Sequence, residues 1–235
     1  MLTRLRMSLY LVVLISSVAV ASESTVKQAM QKRYPGVPVE SVAKTPLPGI
    51  YEVFANGAVF YVDENVNYLI MSGRLIDVGR RVDLTEERLR VLTAVKFDQL
   101  PLDLAFRMVK GDGKRKFAYF TDPNCPYCKR LDQELTKVTD VTIYLFLYPI
   151  LSQDSVEKAK AVWCSKDRVK AYMDWMLNGS TPAAPGSCET PVDKIVAYGR
   201  QKSISGTPTL FFADGQRQTG WIAADQLEKL LDGVR

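Results

Sequence analysis

Two cysteines separated by a Pro-Tyr pair, Cys125 and Cys128 in the stretch TDPNCPYCKRL, stand where one kind of sequence pattern gives way to another. Before them KFAYF (116–120) is short, apolar and aromatic and is followed by turn residues, which reads as a strand. After them Cys128, Leu131, Leu135 and Val138 recur at helical spacing, so one apolar face of a helix starts at the cysteines themselves. VTIYLFL (141–147) is then a continuous apolar run, as expected of a strand covered on both faces. The centre of the chain therefore reads β-α-β. A mostly helical stretch follows at 154–177, with Asp154 or Ser155 as its N-cap, and the composition of 178–190 predicts a loop. Thr190-Pro191 predicts the next helix start, as N-cap and first-turn proline. PTLFFADGQRQTGW (208–221) reads as a hairpin turning near Asp214-Gly215, and AADQLEKLLDGV (223–234) as a closing helix.

The N-terminal part is of a different kind. Arg4 and Arg6 precede the apolar run 7–21, which ends in Ala19-Val20-Ala21. A short basic start, an apolar core and an A-x-A ending predict a cleaved secretory signal over residues 1–21. The run is shorter than the ~20 residues a spanning helix needs. Without it 29 basic and 26 acidic side chains remain, a net +3 that is too mild for a nucleic-acid partner. Residues 24–40 predict a short amphipathic helix ended by Pro35-Gly36. Four short runs then follow (50–54, 59–62, 67–71 and 74–78), broken by Asn56-Gly57, Asp63-Glu64-Asn65 and Ser72-Gly73. Asn-Gly between apolar runs is a hairpin signal, and the spacing predicts a meander of about four strands. Some 60 residues with a one-sided sheet make a small core with open edges, which predicts homodimerisation through residues 22–80. Residues 84–99 read as a linker helix that ends before Pro101. The expected division is a signal peptide at 1–21, a dimerisation domain at 22–80, a linker at 81–100 and a catalytic domain at 101–235.

The chain has four cysteines and no histidine. In an exported protein four cysteines point to disulfides, in any of three pairings. A thiol in the first turn of a helix needs no imidazole to ionise, because the helix dipole and free backbone N–H groups favour the thiolate. Cys125, at the terminus, is expected to be exposed and nucleophilic. Cys128, one turn further in, is expected to be shielded and able to displace whatever Cys125 has captured. Zinc would want a second C-x-x-C knuckle or Cys/His pairs, which are missing, whereas Cu(I) would suit two thiolates. Tyr127, between the thiols, reads as a surface aromatic touching substrate, Asp122 as turn chemistry, and Trp163, Trp175 and Trp221 as core. In SGTPT, Pro208 cannot donate to a sheet ladder, so Thr207-Pro208 marks an edge, a strand start or a special turn.

The element order, FTDPNCPYC after a strand and SGTPT some 80 residues later resemble a thioredoxin fold. The whole chain resembles the DsbC/DsbG family of thiol:disulfide interchange proteins. That resemblance implies an α+β/α/β chain whose thioredoxin-like domain carries a helical insertion and follows a small cystatin-like dimerisation domain and a linker helix. It implies a periplasmic, V-shaped homodimer whose apolar cleft holds unfolded or misoxidised secreted proteins in a chaperone-like way. Cys125 and Cys128 would be catalytic, Thr207, Pro208 and Tyr127 would bind substrate, and Cys164 and Cys188 would form a structural disulfide. No cofactor or metal is expected beyond the redox-active pair, which a membrane thiol reductase of the DsbD type would keep reduced. Pro126-Tyr127 is the DsbG dipeptide, while Cys164 and Cys188 are a DsbC feature. Alternatives are a DsbG-like reductase of oxidised single cysteines, a glutathione-dependent enzyme of the glutaredoxin type, and a non-catalytic holdase or Cu(I) carrier.

Overall fold

The computed structural model describes residues 22–234. The expected signal segment lies outside the described residues. Ser22 caps helix α1 (Glu23–Arg33), its Oγ accepting from Thr25 N at 3.2 Å, and α1 buries Val26 and Met30 against a sheet. That sheet is an antiparallel meander of β1 (Val39–Lys44), β2 (Ile50–Ala55), β3 (Ala58–Asp63) and β4 (Leu69–Ile70). The β2–β3 turn is Asn56-Gly57 with φ of 51° and 74°, a left-handed pair that Asn and Gly tolerate best. The expected meander is displaced by one strand. VPVE and the residues after it supply β1, whereas RLIDV contributes to a separate two-stranded ribbon of β5 (Ile76–Asp77) and β6 (Val82–Asp83).

Helix α2 (Leu84–Leu92) corrects the expectation of a helix running to about residue 99. It stops at Thr93, whose side chain turns back onto the Leu89 carbonyl at 2.7 Å. Leu89 and Leu92 pack on Phe54, Val59 and Tyr61 of the small sheet, so α2 belongs to the first unit. Val95, Phe97 and Leu100 are instead buried in the second unit, and Val95 N donates to Gly215 O at 3.1 Å. Apolar side chains drawn to two different cores end the helix between them.

The second unit is a five-stranded sheet in the order β11-β10-β8-β9-β7. Its strands are β7 (Phe106–Lys110), β8 (Arg115–Thr121), β9 (Val141–Leu147), β10 (Thr209–Phe212) and β11 (Arg217–Thr219). β8 and β9 are parallel, with Phe117 opposite Ile143, and the other pairs are antiparallel. Helix α3 (Pro126–Leu135) is the β8-to-β9 crossover, a connection that a parallel pair requires. Phe120 stacks on Phe146 at 4.4 Å on one face of the sheet. On the other, Cys128, Leu131 and Leu135 of α3 meet Phe117, Tyr119 and Ile143. Strand β7 escaped the sequence reading. It is a short edge strand whose burial alternates, with only Phe106 and Met108 buried.

The long helical stretch is two helices, α4 (Gln153–Cys164) and α5 (Arg168–Asn178). The cap of α4 is Ser152, whose Oγ accepts from Ser155 N at 3.1 Å, two or three residues before the expected position. Helix α6 (Val192–Gln201) has Pro191 itself as N-cap, with no side-chain cap, because the Pro191 carbonyl takes the first helical bond from Ile195 N. Helix α7 (Ala224–Gly233) closes the chain.

A candidate thiol–disulfide active site

Helix α3 begins on its own nucleophile. Cys125 is the N-cap, Pro126 occupies the first turn, and Cys125 Sγ accepts from Cys128 N at 3.4 Å. The turn ahead of it is fixed from inside. Asp122 is fully buried, and its carbonyl accepts from Cys125 N at 3.0 Å. Its carboxylate accepts from Asn124 N at 2.8 Å, Ile150 N at 2.8 Å and Leu151 N at 3.0 Å. Asp122 is thus turn chemistry, and it also ties the cysteine turn to the loop after β9.

The Thr207–Pro208 peptide is cis, and the Cys125 thiol, while protonated, donates to the Thr207 carbonyl at 3.2 Å. This proximity corrects one expectation: Cys125 is only 3% exposed, because the Thr207–Pro208 segment lies over its sulfur. Cys128 is fully buried. Tyr127 is 56% exposed beside them.

The two thiols differ sharply in acidity. Cys125 is pulled down to about 6. The Cys128 thiol hydrogen-bonded to it is the largest cause, outweighing burial; the backbone N–H groups of Cys128 and Tyr127 add to it. Burial pushes the Cys128 thiol far up, and the neighbouring Cys125 charge adds to that. One sulfur is a thiolate at neutral pH and the other keeps its proton. Alkylation of the reduced protein by iodoacetamide is expected to rise through a midpoint near pH 6. A midpoint at the ordinary cysteine value of about 8.5 would contradict this asymmetry.

Cys164 and Cys188 are bonded to each other, with Cα atoms 5.8 Å apart and a sequence separation of 24. The bond closes the 165–187 loop onto the end of α4. Closing a loop of that length stabilises by about 3 kcal/mol. Cys164→Ser is therefore expected to lower the urea unfolding free energy by about that amount, and an unchanged midpoint would refute it.

Trp163 and Trp175 pack against the core from its margin, as expected, whereas Trp221 is exposed. Each lies part-exposed under a cation: Arg168 is 3.9 Å from the Trp163 ring, Lys129 4.3 Å and Lys158 4.6 Å from Trp175, and Arg130 4.6 Å from Trp221. Trp175 Nε1 also donates to Pro123 O at 2.6 Å, bracing the cysteine turn from α5. Sequence reading also missed Asp132, one turn beyond Cys128 on α3 and fully buried. Its carboxylate accepts from Tyr172 Oη at 2.8 Å and Tyr119 Oη at 3.4 Å. Among the described residues no three Cys, Asp or Glu side chains converge to hold a metal ion.

Residues 102–235 match the thioredoxin-like domain family, and residues 17–86 match the disulfide bond isomerase protein N-terminal domain. The probable thiol:disulfide interchange protein DsbC of Bordetella pertussis is 45% identical over 206 residues, covering 88% of this chain and 73% of that protein. This chain belongs to the DsbC family. DsbC of Escherichia coli strain K12 is 26% identical over 224 residues, 92% of this chain and 90% of its own length. The crystal structure of a disulfide interchange protein from Neisseria gonorrhoeae is similar with a TM-score of 0.55 and 44% identity, over 57% of this chain and 98% of that one. The chain is accordingly a thiol–disulfide oxidoreductase of the disulfide-isomerase type, with a thioredoxin-like fold behind a DsbC-type N-terminal domain.

Proposed function

We propose that this DsbC-family chain acts in the periplasm as a homodimeric isomerase of misoxidised secreted proteins. Cys125 attacks a client disulfide and Cys128 resolves the mixed disulfide. The observation that carries this reading is the asymmetry of the pair: an ionised Cys125 capping α3 and a buried, protonated Cys128 one turn behind it. The attack forms a bond between Cys125 Sγ and one client sulfur and releases the other as a thiolate. That thiolate can then attack elsewhere in the client and rearrange its bonds, returning Cys125 unchanged. Cys128 ends encounters that stall. The chemistry needs no cofactor, and a DsbD-type membrane reductase would return the oxidised pair to its dithiol form.

Thr207 and Pro208 lie against the attacking sulfur, and exposed Tyr127, Leu151 and Trp221 surround the start of α3, which supports client binding there. The dimer reading rests on the first unit. Strand β4 pairs on one side only, and Tyr68 and Met71 beside it are 77% and 71% exposed. An open apolar edge of that kind is covered by pairing with another strand, and two facing arms would give a cleft for partly unfolded clients.

The test is recovery of activity by a scrambled multi-disulfide protein in a mildly reducing glutathione buffer, with wild type beside Cys125→Ser. Wild type should restore activity and the serine variant should not. Equal recovery by both would sink the nucleophile assignment and favour a holdase. Reduction of sulfenylated proteins without any isomerisation would favour the DsbG-like reductase. Light scattering that found a monomer at micromolar concentration would remove the dimer.

A further inference from the structure

Resolution of the mixed disulfide poses a chemical problem. Cys128 must lose its proton to resolve a mixed disulfide, yet burial holds that proton tightly and the chain has no histidine. Behind Cys128 lies a line of hydroxyls ending on a buried carboxylate. Thr121, at the end of β8, is one of the groups that eases ionisation of Cys128 against its burial, and its Oγ1 lies 2.8 Å from Tyr172 Oη of α5. Tyr172 Oη donates to Asp132 Oδ2 at 2.8 Å. Cys128 and Asp132 are four residues apart on α3, hence on one helix face, and Tyr119 Oη touches both the Cys128 carbonyl and Asp132 Oδ2 at 3.4 Å. Thr121, Tyr172, Tyr119 and Asp132 are all fully buried, and Asp132 Oδ1 has no hydrogen-bond partner.

We propose that Asp132, acting through Tyr172 and Thr121, accepts the Cys128 proton when the mixed disulfide is resolved. This rests on the assignment of Cys125 as nucleophile and Cys128 as resolver. In the step, the Cys128 proton passes to the Thr121 hydroxyl as that hydroxyl's own proton passes to Tyr172 and the Tyr172 proton to Asp132. Cys128 Sγ attacks Cys125 Sγ, the Cys125–Cys128 bond forms, and the bond from Cys125 to the client sulfur breaks. The client leaves as a thiolate, reduced by the electron pair that Cys128 brought, and the enzyme pair ends oxidised. Asp132 is a positioning and proton-accepting group and does not touch the client.

The arrangement also times the transfer. Burial raises the Asp132 carboxyl to about 8 against the pull of Tyr172 and Tyr119, and the Cys125 thiolate charge raises it further. Once Cys125 is capped by a client sulfur that charge is gone, so Asp132 ionises more readily at the stage when a base is needed. The groups facing Asp132 are Cys125 and Cys128 on its own helix, Tyr119 and Thr121 on β8 and Tyr172 on α5. Among the described residues no cation pairs with it.

The experiment follows a single turnover of the reduced protein with a peptide disulfide by acid quench and mass spectrometry, across pH 5.5–9, to separate attack from resolution. Wild type should resolve with a rate that rises with pH and levels off as Asp132 ionises. In Asp132→Asn the ratio of resolution to attack should fall by about 10²-fold or more, the range of a general base. Its resolution should climb without a plateau, and the Cys125 mixed disulfide should accumulate. Tyr172→Phe keeps the ring and the carboxyl but cuts the line, so it should lower the ratio as well. Unchanged ratios and pH profiles in both variants would overturn the proposal while leaving Cys125 as nucleophile. A turnover in which no client sulfur is ever found on Cys125 would overturn the underlying reading, and this proposal with it.

Discussion

Asp132→Asn is expected to make the reduced protein more stable at neutral and mildly alkaline pH, by about 2–4 kcal/mol at pH 8, and to change little near pH 4. The sign follows from proton linkage. In the folded chain burial raises the Asp132 carboxyl from its ordinary 3.8 to about 8, so the fold holds that proton through neutral pH. In the unfolded chain the same carboxyl is ionised above about pH 4. Unfolding therefore releases a proton between those two values. The stability of the wild type falls as pH rises through that window, by about 1.4 kcal/mol per pH unit, and levels off above it. Asparagine has no proton to release, so its stability does not follow that slope. It still must satisfy an amide beside Tyr172 and Tyr119, which offsets part of the gain. Urea midpoints of wild type and variant at pH 4.5, 6, 7 and 8 should diverge with pH at unchanged m. Parallel midpoints would show that Asp132 titrates normally in the fold. A cost in stability near neutral pH, retained in the native sequence, is what a group kept for proton transfer would impose.

Much of this architecture can be read from the sequence because the second unit is built on strong signals. The runs 116–120 and 141–147 are continuous and apolar because α3, α5 and α6 cover both faces of the sheet, and Cys128, Leu131, Leu135 and Val138 mark the buried side of α3. Asn56-Gly57 fixes its hairpin through backbone conformation alone. The elements that escaped are weak in the same physical sense. Strands β1 and β7 are short edge strands with only one and two buried side chains, so their apolar alternation is brief, and β1 adjoins prolines. The end of α2 is set by which of two cores takes Leu92 or Val95, a competition between distant parts of the chain. Asp132 is the clearest miss. An acidic residue at that point of a helix reads as solvent-facing, and only the packing of α5 over α3 turns it inward. Its spacing of four from Cys128 was the one available hint, since that places it on the cysteine's face. The burial of Cys125 is hidden from the sequence for a related reason: its cover comes from Thr207, 82 residues away.

Asp122→Ala is expected to cost about 3–5 kcal/mol and to disturb the active site beyond that loss of stability, with charged-acceptor hydrogen bonds worth roughly 1.5–3 kcal/mol each. One buried carboxylate serves three backbone N–H groups on two loops, Oδ1 taking Asn124 and Oδ2 taking Ile150 and Leu151. Alanine strands all three. Leu151 is exposed enough to find water, which keeps the total below the sum of three full bonds. Asparagine should recover only about half of the loss, since it has one acceptor for two directions. With its oxygen toward Ile150 and Leu151, its amide group would face the Asn124 N–H donor to donor. The loops so joined are those that place α3 beneath Thr207, because the Asp122 carbonyl also holds Cys125 N. Loosening them should move the Cys125 sulfur relative to the Cys128 and Tyr127 backbone N–H groups that favour its thiolate. The alkylation midpoint should therefore rise from near pH 6 toward the usual cysteine range. A destabilised variant whose Cys125 still titrates near pH 6 would show that the helix start holds the thiolate by itself and that Asp122 serves stability alone. A variant with both properties unchanged would mean that the two loops are held together by the sheet and α4 without this carboxylate.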